Sequence, residues 1–353
     1  MSRFFSEKYM TLEAYVPGEQ PKDQQYIKLN TNENAFPPHP AVVRAAEEAA
    51  GKLHLYPDPE CRELREALAK RMNVTPDELL MTNGSDEILN FAFMAFCDEH
   101  IPAVFPDITY GFYPVYAEIN QVPSRQIPLR ENLTIRIRDF FHAAGTIFIA
   151  NPNAPTGIAL RRDEIDEILQ TNPYNVVVID EAYVDFGAES CVPMIREHDN
   201  LLVIQTFSKF RSMAGGRLGY AVGNPELIRD LNIMKYSTNP YTINRMTAAA
   251  GIACLENDEY NIENSRIIME NREWTAQELE KSGFEVTPSK ANFLFARHPD
   301  ISGEELYLKL KERGILIRHF SQDRIRDYNR ITIGTREQME VFVRETRAII
   351  SGR

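Results

Sequence analysis

The chain has 353 residues, 43% hydrophobic and 25% charged, which suits a globular protein with one large domain and a smaller one, or with two similar ones. A formal net charge of -12 argues against nucleic acid and anionic membrane surfaces as partners. No apolar run approaches a membrane span, the four cysteines (Cys61, Cys97, Cys191, Cys254) form no C-x-x-C pair, and the seven histidines show no metal-ligand spacing. A cytoplasmic protein with reduced thiols and no metal is expected.

Residues 1–35 read as an irregular polar segment, with Pro17-Gly18 and Pro21 as turn signals. The segment carries Tyr15 and an amide-rich run, Leu29-Asn30-Thr31-Asn32-Glu33-Asn34, whose asparagines, read locally, satisfy turn backbone. Helices are predicted over 40–52 and 60–72, and between them L-Y-P-D-P makes a rigid turn exposing Tyr56. A short strand at 79–82 breaks into N-G-S-D-E and then a greasy helix reaching 96. Strand, glycine and helix start make an anion site at Ser85 and Asp86, although Ser85 also suits a plain N-cap.

A strand at 103–105 is followed by an aromatic turn, T-Y-G-F-Y at 109–113, which on its own reads as core. The apolar strand 146–150 ends in N-P-N-A-P-T-G, and a helix over 162–170 leads to a strand at 176–179. That strand ends in Asp180-Glu181-Ala182-Tyr183. A carboxylate there is costly to bury unless a cation meets it. A strand at 201–204 then runs into Thr206-Phe207-Ser208-Lys209 and, further on, Gly215-Gly216-Arg217. A lysine in such a turn can form a Schiff base with a carbonyl, and Ser208, Arg217 and bare N–H groups suit a phosphate monoester.

The β-α-β-α order of apolar strands predicts an α/β fold with a mostly parallel sheet covered by helices. Ligands of such sheets bind beyond the carboxyl ends of strands, so Ser85, Asn153, Asp180, Tyr183 and Lys209 should share one edge. After a helix at 226–234, one long helix broadly over 242–281 is expected to bridge to an α+β unit. Strands there present Arg318 and Arg330, each of which alone reads equally well as solvated.

These motifs, in this order, resemble the fold-type-I, pyridoxal-phosphate-dependent aminotransferases over essentially the whole chain, and within them most closely the histidinol-phosphate aminotransferase family. The resemblance implies a large domain with a mostly parallel seven-stranded sheet over 36–240, a smaller α+β domain over 241–353, and residues 1–35 packed beside the active site. It implies that Lys209 holds the cofactor and moves protons, that Asp180 pairs with the pyridinium nitrogen, and that Tyr183 donates to the phenolate oxygen. Tyr110 would stack on the ring, and Asn153 and Thr206 would lie beside it. Ser85, Asp86, Ser208 and Arg217 would take the phosphate, with Tyr56 reaching in from the other subunit of a homodimer. Tyr15, Asn32, Arg318 and Arg330 would meet the substrate.

The chain departs from the family pattern at Ala154, where asparagine usually precedes Pro-Thr-Gly, and at Gly216, where a larger apolar residue is common. The leading expectation is transamination between L-histidinol phosphate and 2-oxoglutarate in histidine biosynthesis. Aromatic amino-acid transamination and decarboxylation of threonine phosphate stand as alternatives. A cofactor-sensing regulator is disfavoured, since residues 1–35 leave no room for a basic DNA-binding module.

Overall fold

The computed structural model describes residues 2–352. Seven strands form the main sheet, in the spatial order 79–82, 219–223, 201–206, 177–180, 146–150, 103–106, 124–127. Strand Gly219–Gly223 runs antiparallel to both its neighbours, and the other side-by-side pairs are parallel. The central strands are apolar on both faces, and period-two alternation sorts their side chains into two cores. Leu201, Val203, Ile147, Ile149, Val177 and Ile179 enter one core, while Leu202, Ile204, Phe148 and Val178 enter the other. Each such side chain contributes about 1.5–3 kcal/mol on burial, so a one-residue register slip would exchange the two faces and is strongly disfavoured.

Helices Pro40–Ala50, Arg62–Met72, Arg162–Thr171 and Arg245–Glu256 cover the first face through residues such as Val42, Leu64, Ile168 and Ala250. Helices Ser85–Phe96, Phe112–Ile119 and Pro225–Thr238 cover the second, through Phe91, Phe93, Tyr116 and Leu231. A separate core lies between a four-stranded antiparallel sheet and helices Asp258–Glu280, Gly303–Glu312 and Arg336–Ser351. The N-terminal segment joins this second unit, because Ile27–Lys28 pairs parallel with Ile315–Leu316 and Leu29 is buried in its core.

Four features differ from the sequence reading. The helix expected over 242–281 is two helices, interrupted at Asn257, whose amide bonds back to the Ala253 carbonyl. Such local competition for backbone makes asparagine a poor interior helix residue. The first of these helices packs on Pro40–Ala50, so Ile243, Ala250, Ala253 and Cys254 belong to the large core beyond the expected boundary at 240. Phe112 and Tyr113, read as the end of an aromatic turn, begin a helix, Phe112–Ile119. Gly219 and Tyr220, read as the close of a glycine-rich turn, open a fully buried strand, Gly219–Gly223.

Candidate active site

Strands 79–82, 103–106, 146–150, 177–180 and 201–206 release the chain at one edge, and the loops there line a cavity open to solvent, about 560 Å³ with its mouth included. Ser85, Asp86, Tyr110, Ala154, Asp180, Tyr183, Thr206, Ser208, Lys209 and Arg217 line it. Arg217 arrives from the opposite chain direction. It precedes Gly219, which pairs with both Thr82 and Thr206, the last residues of the two flanking strands. The antiparallel strand therefore delivers an arginine to the edge where its neighbours deliver a helix start and a lysine.

Two glycines allow that convergence. A Cβ on Gly219 would stand 2.4 Å from the Ser85 nitrogen, and one on Gly84 would stand 2.5 Å from Arg217 Nη2. Gly84 also has φ 80, in the left-handed region. Arg217 donates to Asp86 Oδ2 at 3.0 Å and, weakly, to Ser208 Oγ at 3.4 Å. Tyr110 donates to Asp86 Oδ1 at 2.7 Å. With the Asp86 carboxylate held by these two partners, the backbone N–H groups at the helix start remain the natural anion donors.

Asp180 ends its strand 5% exposed. Burial pushes its carboxyl up to about 7, against bonds from the Ala182 N–H at 3.2 Å and Tyr113 Oη at 3.2 Å. A buried carboxylate so displaced is a site prepared for a cationic N–H. Lys209 forms no ion pair among the described residues, and its hydrogen bond to the Thr31 carbonyl is 3.5 Å long. Asn34 ties down the backbone behind it, donating to the carbonyls of Lys209 at 2.9 Å and Phe210 at 3.2 Å.

Asn153 is engaged in its own turn. Its amide donates to the Ile108 carbonyl and Thr156 Oγ1 and accepts from Thr109 Oγ1. Ala154 lines the cavity instead, packed with Ala291, Phe293 and the Tyr183 ring. Thr206 Oγ1 accepts from the Ser208 N–H, which shapes the lysine turn. Asn32, expected to face substrate, donates through Nδ2 to Tyr183 Oη at 2.9 Å.

A wider cleft of about 1110 Å³ opens from the same place, sharing Tyr110, Ala154, Tyr183 and Lys209 and adding Tyr15, Asn32, Arg318 and Arg330. Arg318 and Arg330 are direct partners across two antiparallel strands. Like charges in that position destabilise a sheet. Arg330 Nη2 donates to the Asn30 carbonyl at 3.2 Å, while its buried Nε has no hydrogen-bond partner among the described residues. Desolvation lowers the Arg330 pKa, and Arg318 adds to the effect. A bound anion would relieve all three penalties. Arg318 holds the N-terminal segment through the Val16 and Pro17 carbonyls, and Tyr15 stacks on Phe112 with centroids 4.1 Å apart.

Tyr56 is 78% exposed, stacks on Tyr241 and is absent from the residues lining either cavity. The sequence reading missed Tyr113 and Asn34. Tyr113 lay in a noticed aromatic cluster, one helical turn from Tyr110, and that spacing was the available signal.

Residues 24–345 match the family model for aminotransferase class I and II. A histidinol-phosphate aminotransferase from Clostridium botulinum is 47% identical over 352 residues, 99% of each chain. Histidinol-phosphate aminotransferase 1 from Bradyrhizobium diazoefficiens is 47% identical over 350 residues, 99% of this chain and all of that one. The chain belongs to the histidinol-phosphate aminotransferase family. A solved member from Sinorhizobium meliloti, in complex with pyridoxal-5'-phosphate, shares the fold with a TM-score of 0.90 at 22% identity, over 100% of this chain and 99% of that one. The family match spans both positions at which the chain departs from the usual pattern, Ala154 and Gly216.

Proposed function

We propose that this family member transfers the amino group of L-histidinol phosphate to 2-oxoglutarate, using pyridoxal 5'-phosphate, as a cytoplasmic homodimer. The cofactor's three recognition groups fit the side chains present. The buried Asp180 has no ion-pair partner among the described residues, the start of helix Ser85–Phe96 with Ser208 and Arg217 offers a phosphate cradle, and Lys209, held only by its long bond to the Thr31 carbonyl, lines the same cavity. Bound there, pyridoxal phosphate supplies an aldehyde that takes up the amino group and a ring that accepts electrons.

Asp180 holds the proton on the ring nitrogen, and pairing brings its carboxyl back to the charged form. Lys209 Nζ would hold the cofactor and would serve as the base that takes the proton from the amine-bearing carbon of the substrate. Its backbone is clamped by Asn34, which limits how far Nζ wanders during that transfer. Tyr110, whose hydroxyl is held by Asp86, would cover one face of the ring. Tyr56, exposed on this protomer, would complete the phosphate cradle of a second copy.

The observation that carries the substrate reading is the cross-strand pair Arg318 and Arg330. Two guanidinium groups and Tyr15 around one cleft match a dianionic phosphate ester, and Arg330 would also take the carboxylate of glutamate in the returning half-reaction. The test is a single turnover. With L-histidinol phosphate and no keto acid, the cofactor-loaded protein should lose its visible absorption band and regain it when 2-oxoglutarate is added. Carbon dioxide released from threonine phosphate with the band retained would replace this reading by decarboxylation. Conversion by phenylalanine or tyrosine alone would replace it by aromatic transamination.

A further inference from the structure

We infer that Asn32 is a positioning residue for Tyr183, setting the direction in which the phenol gives its proton; the inference rests on the cofactor reading above. Asn32 is 1% exposed and held at φ 56, a left-handed conformation that asparagine tolerates. Thr332 Oγ1 accepts from the Asn32 N–H at 3.0 Å, so its own proton is available to Asn32 Oδ1 at 2.9 Å. That bond identifies the oxygen end of the amide. The nitrogen end, which can only donate, faces Tyr183 Oη at 2.9 Å. Tyr183 Oη must accept there, and its proton has to seek another acceptor.

The choice of acceptor is narrow. The Tyr183 ring is fixed edge-on against Phe293, with centroids 5.1 Å apart. The charged groups facing it are Lys209, whose Nζ lies 5.8 Å from the ring centroid, and Arg330. As cations neither accepts a hydrogen bond. Ala154, on the cavity side, has no polar side-chain atom. The open direction is the cavity itself, where the phenolate oxygen of a bound cofactor would lie. Asn32 thus makes Tyr183 a dedicated donor in a chain without the usual asparagine at 154. Its anchor, Thr332, is two residues from Arg330 on one strand, so the substrate-facing sheet holds the device in place.

Asn32→Asp keeps the shape, the left-handed backbone and the bond from Thr332, but its second oxygen accepts the Tyr183 proton and turns it from the cavity. The readout is the pH midpoint of the visible band of protein loaded with pyridoxal phosphate, without substrate. Losing a donor to an anionic oxygen should raise that midpoint by about one pH unit. Tyr183→Phe should raise it similarly, and the double variant should add nothing further. Thr332→Val, which frees the amide without altering residue 32, should shift it the same way by less. A lowered melting temperature with the midpoint unmoved in both Asn32→Asp and Thr332→Val would make Asn32 merely structural and overturn the inference. Wild-type protein that takes up no cofactor would overturn the functional reading, and this inference with it.

Discussion

Tyr113 Oη donates to Asp180 Oδ2 across 3.2 Å, joining a helix on one face of the sheet to the end of a central strand. Both residues are shielded from water, at 0% and 5% exposure. The bond belongs to the charged form of Asp180, which burial otherwise disfavours.

Asp180 should therefore make the cofactor-free protein lose stability as pH rises. Its folded value of about 7 lies above the ordinary aspartate value of 3.8, so between those limits the folded state binds more protons than the unfolded one. Stability is then fullest below about 4 and falls until the folded group has ionised. Glu181, also pushed up to about 7 by burial, has the same sign. Asp180→Asn should remove its share and be more stable than wild type at pH 8, by about 2–4 kcal/mol, as chemical denaturation of the cofactor-free proteins will measure. In the loaded enzyme the same change should cost at least ~10²-fold in kcat, since it leaves a buried cation unpaired.

Gly219→Ala should damage the phosphate cradle more than the fold. The new methyl meets the Ser85 nitrogen at 2.4 Å, a backbone atom that cannot swing aside, so the helix start and strand must part. Pyridoxal phosphate affinity should fall by ~10-fold or more, with about 1–3 kcal/mol of stability lost to overpacking. Equilibrium dialysis and a urea titration separate the two effects. Unchanged affinity would mean that the N–H groups of Ser85 and Asp86 do not hold the phosphate.

Arg318→Gln and Arg330→Gln should part in their kinetics. On the proposed reading each loses a guanidinium that would face the substrate phosphate, and a desolvated charge pair broken on one side costs about 2–5 kcal/mol. KM for L-histidinol phosphate should rise at least ~30-fold in both variants. KM for glutamate should rise comparably only in Arg330→Gln. In the absence of substrate, Arg318→Gln should be at least as stable as wild type, because it relieves a like-charged cross-strand pair.

Ala154→Asn introduces the residue that the family usually carries, into a space shared with Ala291, Phe293 and Tyr183. The longer side chain should cost about 1–3 kcal/mol by crowding. If its amide reaches the cofactor oxygen, the pH midpoint of the visible band should fall, opposite in sign to the effect of Asn32→Asp. A midpoint unchanged at lowered stability would show that the turn points residue 154 elsewhere.

Much of the site was legible because strands in a parallel sheet release their loops on one side, so local motifs at 83–86, 180–183 and 206–209 had to converge. Ser208, Lys209 and Asp180 could be assigned from residue type and a preceding apolar run. Strand 219–223 escaped notice, since its glycines and short length resemble a turn until two neighbours bury it. Tyr113 escaped because one aromatic among several carries no mark of its hydrogen bond.

The sequence by itself determined the α/β class and the sheet edge at which Ser85, Asp180, Ser208 and Lys209 gather, because these depend on short-range pattern and chain direction. Only the tertiary structure decided what each polar group bonds to. Asn32 and Tyr183 are 151 positions apart, and Asn32 and Thr332 are 300 apart. Arg318 meets Arg330 only through strand register. Hydrogen bonds require atoms within about 3 Å at a defined angle, and across such separations that geometry is set by the packing of two cores.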